Sequence, residues 1–270
     1  MKRLFAYRPT LPQAWGLVAL AILIQTVSGL VVESFMPAAG TMQSWRLLLS
    51  YVLCFALMVF IVTKMGKSAG NGAWGTQYST VVNRKSQIVI LLLFFILTLA
   101  ITIEPLYMWI PMPERIKQWF EAAFKNDAPT FLSAVVAAPL AEEWLCRGVI
   151  LKGLLTHYSP RKAIIWSAVL FGVLHVYPWQ AIPAFCIALA IGWVYWRTQS
   201  LWPCIFMHAV NNGIAFLTLL LFPDVATDAT IIDIAGAYYS LVYVAALLCC
   251  ALTGYGLWRI LPKNYLTPDK

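Results

Sequence analysis

Glu142, Glu143 and Arg147 lie in the middle of a predominantly apolar stretch, Thr130–Leu155, where a charge is hard to explain as surface decoration. Glu143 and Arg147 stand at i and i+4 with the acid N-terminal, the favoured order for a helical ion pair. Glu142 lies about 100° around the helix from Glu143 and cannot easily share that partner. A compensated carboxylate next to an uncompensated one is the usual arrangement of a general base beside a structural partner. The alternative is an ion pair that merely locks two helices. The histidines bear on the choice. His157 borders Tyr158-Ser159-Pro160 and reads as a bystander. His175 follows Phe171 by four residues, and Asn212 follows His208 by four, on one helical face. One histidine in an apolar helix serves packing as readily as chemistry. Two, with an in-phase asparagine, downstream of Glu-Glu-x-x-x-Arg, point to a polar site inside a bilayer.

Composition shows what must hold these residues. The chain of 270 residues is 61% hydrophobic and 11% charged, against roughly 45–50% and about 25% in ordinary globular domains. Mean hydropathy is +0.76. So few charges cannot cover a soluble fold of this size. The expectation is an all-α, polytopic membrane protein. The same figures exclude disorder and a disulfide-stapled secreted domain, and the six cysteines, all in apolar stretches and without a CxxC pair, read as small buried side chains. The net charge of +8 does not signal nucleic acid, because basic residues in such a chain chiefly record topology.

A bilayer core of about 30 Å needs roughly 20 apolar residues per helix. Runs of that kind predict about eight spans: Gln13–Val32, Leu47–Val62, Gln87–Trp109, Thr130–Leu155, Ala163–Val176, Ile182–Trp196, Leu201–Phe222 and Tyr238–Ile260. The fifth and sixth are short and nearly contiguous, as in a tight helical hairpin. With the N-terminus in the cytoplasm, Lys2, Arg3, Arg8, Lys64, Lys67, Arg84, Lys85, Lys152, Arg161, Lys162, Arg197, Arg259, Lys263 and Lys270 all fall on the cytoplasmic side. Only Arg46, Arg115, Lys117 and Lys125 fall opposite. That asymmetry predicts both termini inside. Pro113–Asn126 carries an apolar stripe at 3–4 spacing and reads as an interfacial helix; Thr63–Lys85 reads as a cytoplasmic loop. Counting the helical rise, Glu142, His175 and Asn212 come out roughly 15–20 Å from the cytoplasmic ends of their helices. They can meet in one intramembrane cavity.

Glu142-Glu143-x-x-x-Arg147, Phe171-x-x-x-His175 and His208-x-x-x-Asn212, in this order, resemble the motif set of the CAAX-protease and bacteriocin-processing (CPBP, or Abi) family of intramembrane endopeptidases. The resemblance covers about Thr130–Phe222, with Gly148 after the arginine also in the family's habit; outside it the match is only in being apolar. It implies a glutamate-type intramembrane protease. Glu142 with His175 would position and deprotonate the attacking water, His208 and Asn212 would donate to the oxyanion, and Glu143 with Arg147 would order the site. Amide and imidazole N–H groups suit that donor role. The implied layout is transmembrane helices 1–3 and the interfacial helix in 1–128, the catalytic core in 129–222, and a last helix and tail in 223–270.

The family is often labelled a metalloprotease, and Glu/His clusters bind zinc. Here no HExxH occurs, and an arginine one turn from the acids opposes a cation, so no metal and no cofactor is expected, with zinc as the alternative. The expected partners are the lipid bilayer and a membrane-associated protein or peptide substrate, in the plasma (inner) membrane if the source is bacterial. Two other classes compete. A proton-coupled transporter would use the same residue types as a relay, but the polar residues are confined to spans four to seven and no internal repeat is present. A bacteriocin-immunity or scaffold protein of the same family would bind without hydrolysis; the intact motif set argues against it.

Overall fold

The computed structural model describes residues 7–36, 42–68, 85–222 and 229–262, and in these it is helical with no strand. We label the helices α1 (Leu11–Phe35), α2 (Met42–Ser68), α3 (Lys85–Ile103) and α4 (Glu114–Ala123). The run 128–157 is one continuous helix, α5, followed by α6 (Pro160–Leu174), α7 (Pro178–Thr198), α8 (Trp202–Leu221), α9 (Ile231–Ala235) and α10 (Tyr239–Ile260). Every expected span overlaps a helix, but α2 overruns its span at both ends, and the third span, expected to reach Trp109, leaves the α-helix at Ile103. Among the described residues six helical stretches are long and apolar enough to cross a membrane: Leu11–Phe35, Met42–Gly66, Ser86–Leu106, Pro178–Thr198, Trp202–Leu221 and Ile231–Ile260. The chain is an integral, multi-pass membrane protein. The other two expected spans are α5, interrupted by charge, and α6, whose 15 residues reach only about 22 Å.

One loop expectation needs correction. The segment Thr63–Lys85 does not begin as a loop, because α2 continues through Ser68 and α3 already starts at Lys85. The helix-favouring Lys-Met at 64–65 carries the last apolar run two further turns; residues 69–84 lie outside those described. The amphipathic segment Pro113–Asn126 does form a helix, α4, capped by Pro113 and ending at Ala123. Its apolar side turns inward through buried Ala123 and through Phe120, whose ring meets Phe124 and Tyr177.

α5 is where local sequence bends the rules of a regular helix. It is π-helical over Leu132–Ala137 and again over Trp144–Leu151, with α-helical turns between and around them. Pro139 supplies a reason for the first bulge, since it has no N–H to give. The Ala138 amide reaches back five residues to the Ser133 carbonyl. The Ala134 carbonyl therefore loses both its α-type donor, diverted to Ser133, and its π-type donor, which would be Pro139. Short π segments inside α-helices are frequent at functional sites.

α6 and α7 form the expected hairpin. Gly172 allows the close approach: a Cβ there would stand 3.0 Å from the Ala181 carbonyl oxygen. The hairpin turn runs through His175 and Val176, and Val176 sits at φ 61°, a left-handed conformation that a β-branched residue rarely adopts. Helix ends also meet in consistent pairs. Arg46 pairs with Glu33 at 2.7 Å, and the Ile231 amide donates to Glu104 at 2.6 Å. At the opposite end of the bundle Arg197 donates to the carbonyls of Trp258, Leu261 and Pro262.

Candidate active site

Glu143 and Arg147 are fully buried in α5. Their predicted pair forms, with Arg147 Nη1 donating to Glu143 Oε1 at 2.9 Å. Arg147 does more than neutralise an acid. Its Nη2 donates to the Ala188 carbonyl of α7 at 3.3 Å, and its guanidinium lies over the Phe171 ring of α6 at 4.6 Å. One side chain thus ties α5 to both arms of the hairpin, through an ion pair, a charge-assisted hydrogen bond and a cation–π contact.

His208 reaches in from α8 and is itself 5% exposed. Its Nδ1 is 2.8 Å from Glu143 Oε1, and its Nε2 is 3.9 Å from Glu142 Oε2. The imidazole lies between the two glutamates. A carboxylate on Nδ1 fixes ring orientation and makes Nδ1 the N–H-bearing nitrogen. To donate through Nε2 as well, the ring must carry both protons.

Glu142 differs from its neighbour in access. Its side chain is 21% exposed, against 0% for Glu143. Oε1 accepts a hydrogen bond of 2.7 Å from the Tyr51 hydroxyl of α2, while Oε2 is buried and accepts none from the described residues. Each acid keeps one buried oxygen without a hydrogen bond from the described residues, and Glu142 differs in that the remainder of its side chain is partly exposed.

His175 and Asn212 are each anchored to backbone. His175 caps the C-terminus of α6, and its Nδ1 is 2.9 Å from the Phe171 carbonyl. No hydrogen bond joins it to Glu142 among the described residues. Asn212 Nδ2 donates to the Ala134 carbonyl at 2.8 Å, the oxygen stranded by the Pro139 bulge. That bond leaves Asn212 a second amide N–H. The Phe171 ring links the set, with His175 at 4.8 Å, His208 at 5.7 Å and Arg147 over its face.

The structure therefore brings Glu142, Glu143, Arg147 and His208 into direct contact, with His175 and Asn212 held nearby by helix carbonyls. Two features are additional to the expected site, Tyr51 and the Ala134 carbonyl that holds Asn212, while Phe171, already in the expected motif, proves to touch His175, His208 and Arg147. Only Pro139 signalled one of them in advance. No three His, Cys, Asp or Glu side chains among the described residues converge as a metal-binding group.

Comparison with known proteins agrees with the motif reading. Residues 124–214 match the family model of the type II CAAX prenyl endopeptidase Rce1-like proteins. Among curated proteins and solved structures, nothing matches the chain. The matched third of the chain runs from the start of α5 into α8 and contains all six candidate residues. Over this segment the chain is similar to the CAAX prenyl endopeptidases that the model describes.

Proposed function

We propose that the chain hydrolyses a peptide bond of a membrane-associated protein or peptide, with Glu142 as general base toward water, in a fold of eight transmembrane helices whose termini are both cytoplasmic. The observation that carries the reading is the split Glu142 carboxylate: one oxygen held by Tyr51, the other uncommitted and 3.9 Å from His208 Nε2. Glu142 Oε2 accepts a proton from a water as that water's oxygen attacks the scissile carbonyl carbon. A C–O bond forms, and the carbonyl π electrons move onto oxygen. His208 Nε2–H and the free Asn212 amide N–H stabilise that oxyanion. When the tetrahedral intermediate collapses, the C–N bond breaks, and the proton held on Glu142 passes to the departing amine nitrogen. His175 shares the orientation of the water with Glu142. Glu143 and Arg147 hold His208 and the surrounding helices in place.

The donor set supports hydrolysis without a metal. One imidazole nitrogen is committed to Glu143, and Glu143 itself is committed to a fully buried arginine whose charge opposes a cation. Activity is expected to survive exhaustive chelation, with less than one equivalent of zinc in active protein. Stoichiometric zinc whose removal abolishes activity and whose return restores it would refute this reading.

Replacing Glu142 tests the base directly. Glu142→Gln is expected to abolish cleavage while the protein inserts and accumulates as before. The readout is mass spectrometry of membrane peptides that persist uncut in cells carrying the variant. An identical peptide pattern for Glu142→Gln and the unaltered protein would sink the proposal.

A further inference from the structure

Glu142 is gripped from outside the segment that matches the family. Tyr51 belongs to α2, and its hydroxyl is the only donor to Glu142 among the described residues, at 2.7 Å on Oε1. A carboxylate's terminal torsion is broad and two-fold, so its two oxygens are otherwise interchangeable. A charge-assisted hydrogen bond to one of them removes that symmetry. The oxygen left over, Oε2, is the one facing His208.

α2 delivers this hydroxyl as part of a docked face. Two turns before Tyr51, Ser44 Oγ donates to Asp127 Oδ2 at 2.7 Å. One turn after it, the Phe55 ring meets Trp144 edge-on at 5.6 Å. Residues 44, 51 and 55 share one side of the helix, and their partners Asp127, Glu142 and Trp144 all lie along or beside α5. Ser44 and Phe55 already pin α2 to α5. The Tyr51 ring could fill its space as phenylalanine, so the hydroxyl calls for a separate reason.

We propose that Tyr51 is a positioning residue for the base: its hydroxyl fixes the Glu142 carboxylate so that Oε2, and not Oε1, faces the reacting water. Hydrolysis then depends on a helix that the family-matched segment does not include. This inference rests on the role given to Glu142 above.

The test uses full-length protein in liposomes and, as probe, a peptide that persists uncut in membranes of cells carrying Glu142→Gln. Tyr51→Phe is expected to lower kcat about 10- to 100-fold with KM nearly unchanged, the scale of effect for a slightly misplaced catalytic group. Its thermal midpoint should stay close to that of the unaltered protein. Ser44→Ala loosens the same helix without touching Glu142 and should leave kcat within about three-fold. Wild-type kcat in Tyr51→Phe overturns the proposal, as does an equal loss in Ser44→Ala, which would reduce Tyr51 to a helix anchor. Failure of Tyr51→Phe to accumulate as folded protein also overturns it, placing the hydroxyl in folding. If no peptide depends on Glu142, the reading of the base itself fails first, and that result is distinct from the others.

Discussion

The two halves of this membrane protein bury their helices in opposite ways. In α5 every residue from Trp144 to Leu151 is buried, including a charged arginine. In α10, of similar apolarity, only Ala246, Thr253 and Leu257 are buried, and its other residues are half-buried, as along the side that packs on α3, or exposed. Lipid tails are about as apolar as leucine, so a lipid-facing helix gains little from protein contact. A helix carrying Glu142, Glu143 and Arg147 has no such freedom, because each charge must be screened from hydrocarbon and given partners. The flanking helices α2, α6, α7 and α8 supply them. The helix that carries intramembrane charge is thus buried more deeply than an equally apolar helix without it.

The largest effect should come from stranding one charge of the buried pair. Arg147→Ala leaves Glu143 fully buried without its cation and removes the contacts to Ala188 and Phe171. Breaking a buried pair by removing one partner costs about 3–5 kcal/mol. The variant is expected to lose abundance and thermal stability as well as activity, unlike Glu142→Gln, whose loss should be confined to activity. Abundance of Arg147→Ala equal to that of Glu142→Gln would erase the distinction between a structural and a chemical acid.

A matched pair of truncations sharpens the comparison without touching charge. Ile150 in α5 is 0% exposed and Leu252 in α10 is 70% exposed. Ile150→Ala opens a cavity, but the surrounding solvent is lipid, so its cost should sit near the low end of the usual range, about 2 kcal/mol. Leu252→Ala should stay within about 0.5 kcal/mol. Thermal melts in one detergent compare them, and equal losses would mean that α10 is packed against something in the membrane.

The helices were legible because crossing hydrocarbon demands long apolar runs, and each such run overlaps a helix. The site was legible where chemistry is written at helical spacing: Glu143 to Arg147 and His208 to Asn212 each share a face of one helix. What escaped depends on contacts between distant segments. Nothing in the apolar run of α2 marks Tyr51 as the partner of a residue 91 positions later. The commitment of His208 Nδ1 to Glu143 follows from how α8 meets α5. The asparagine's bond to Ala134 needed the π bulge, for which Pro139 was a visible but unread signal. The extension of α2 to Ser68 escaped because glycine and lysine beyond Val62 resemble a loop more than a helix leaving the bilayer.

An effect smaller than that of Ile150→Ala concerns the junction where α2 docks at the start of α5, outside the membrane-spanning stretches. Asp127 caps α5 by accepting from the Thr130 amide at 3.0 Å, and it also accepts from Ser44. Partial burial raises its proton affinity, but the bonds from Ser44 and from the Thr130 amide and hydroxyl, with Lys125 nearby, outweigh it and hold the carboxyl below its ordinary value. A depressed folded-state value means stability that is present above the unfolded value, about 3.9, and lost as pH falls through the folded one. Asp127→Ala should therefore cost about 1 kcal/mol near neutral pH, the usual worth of a helix cap. The gap between the two proteins should narrow below about pH 4, as the carboxyl protonates in the unaltered chain as well. Melting curves between neutral pH and pH 3 follow that gap. A gap that stays constant through acid would show that the cap works by shape alone, with no contribution from its charge.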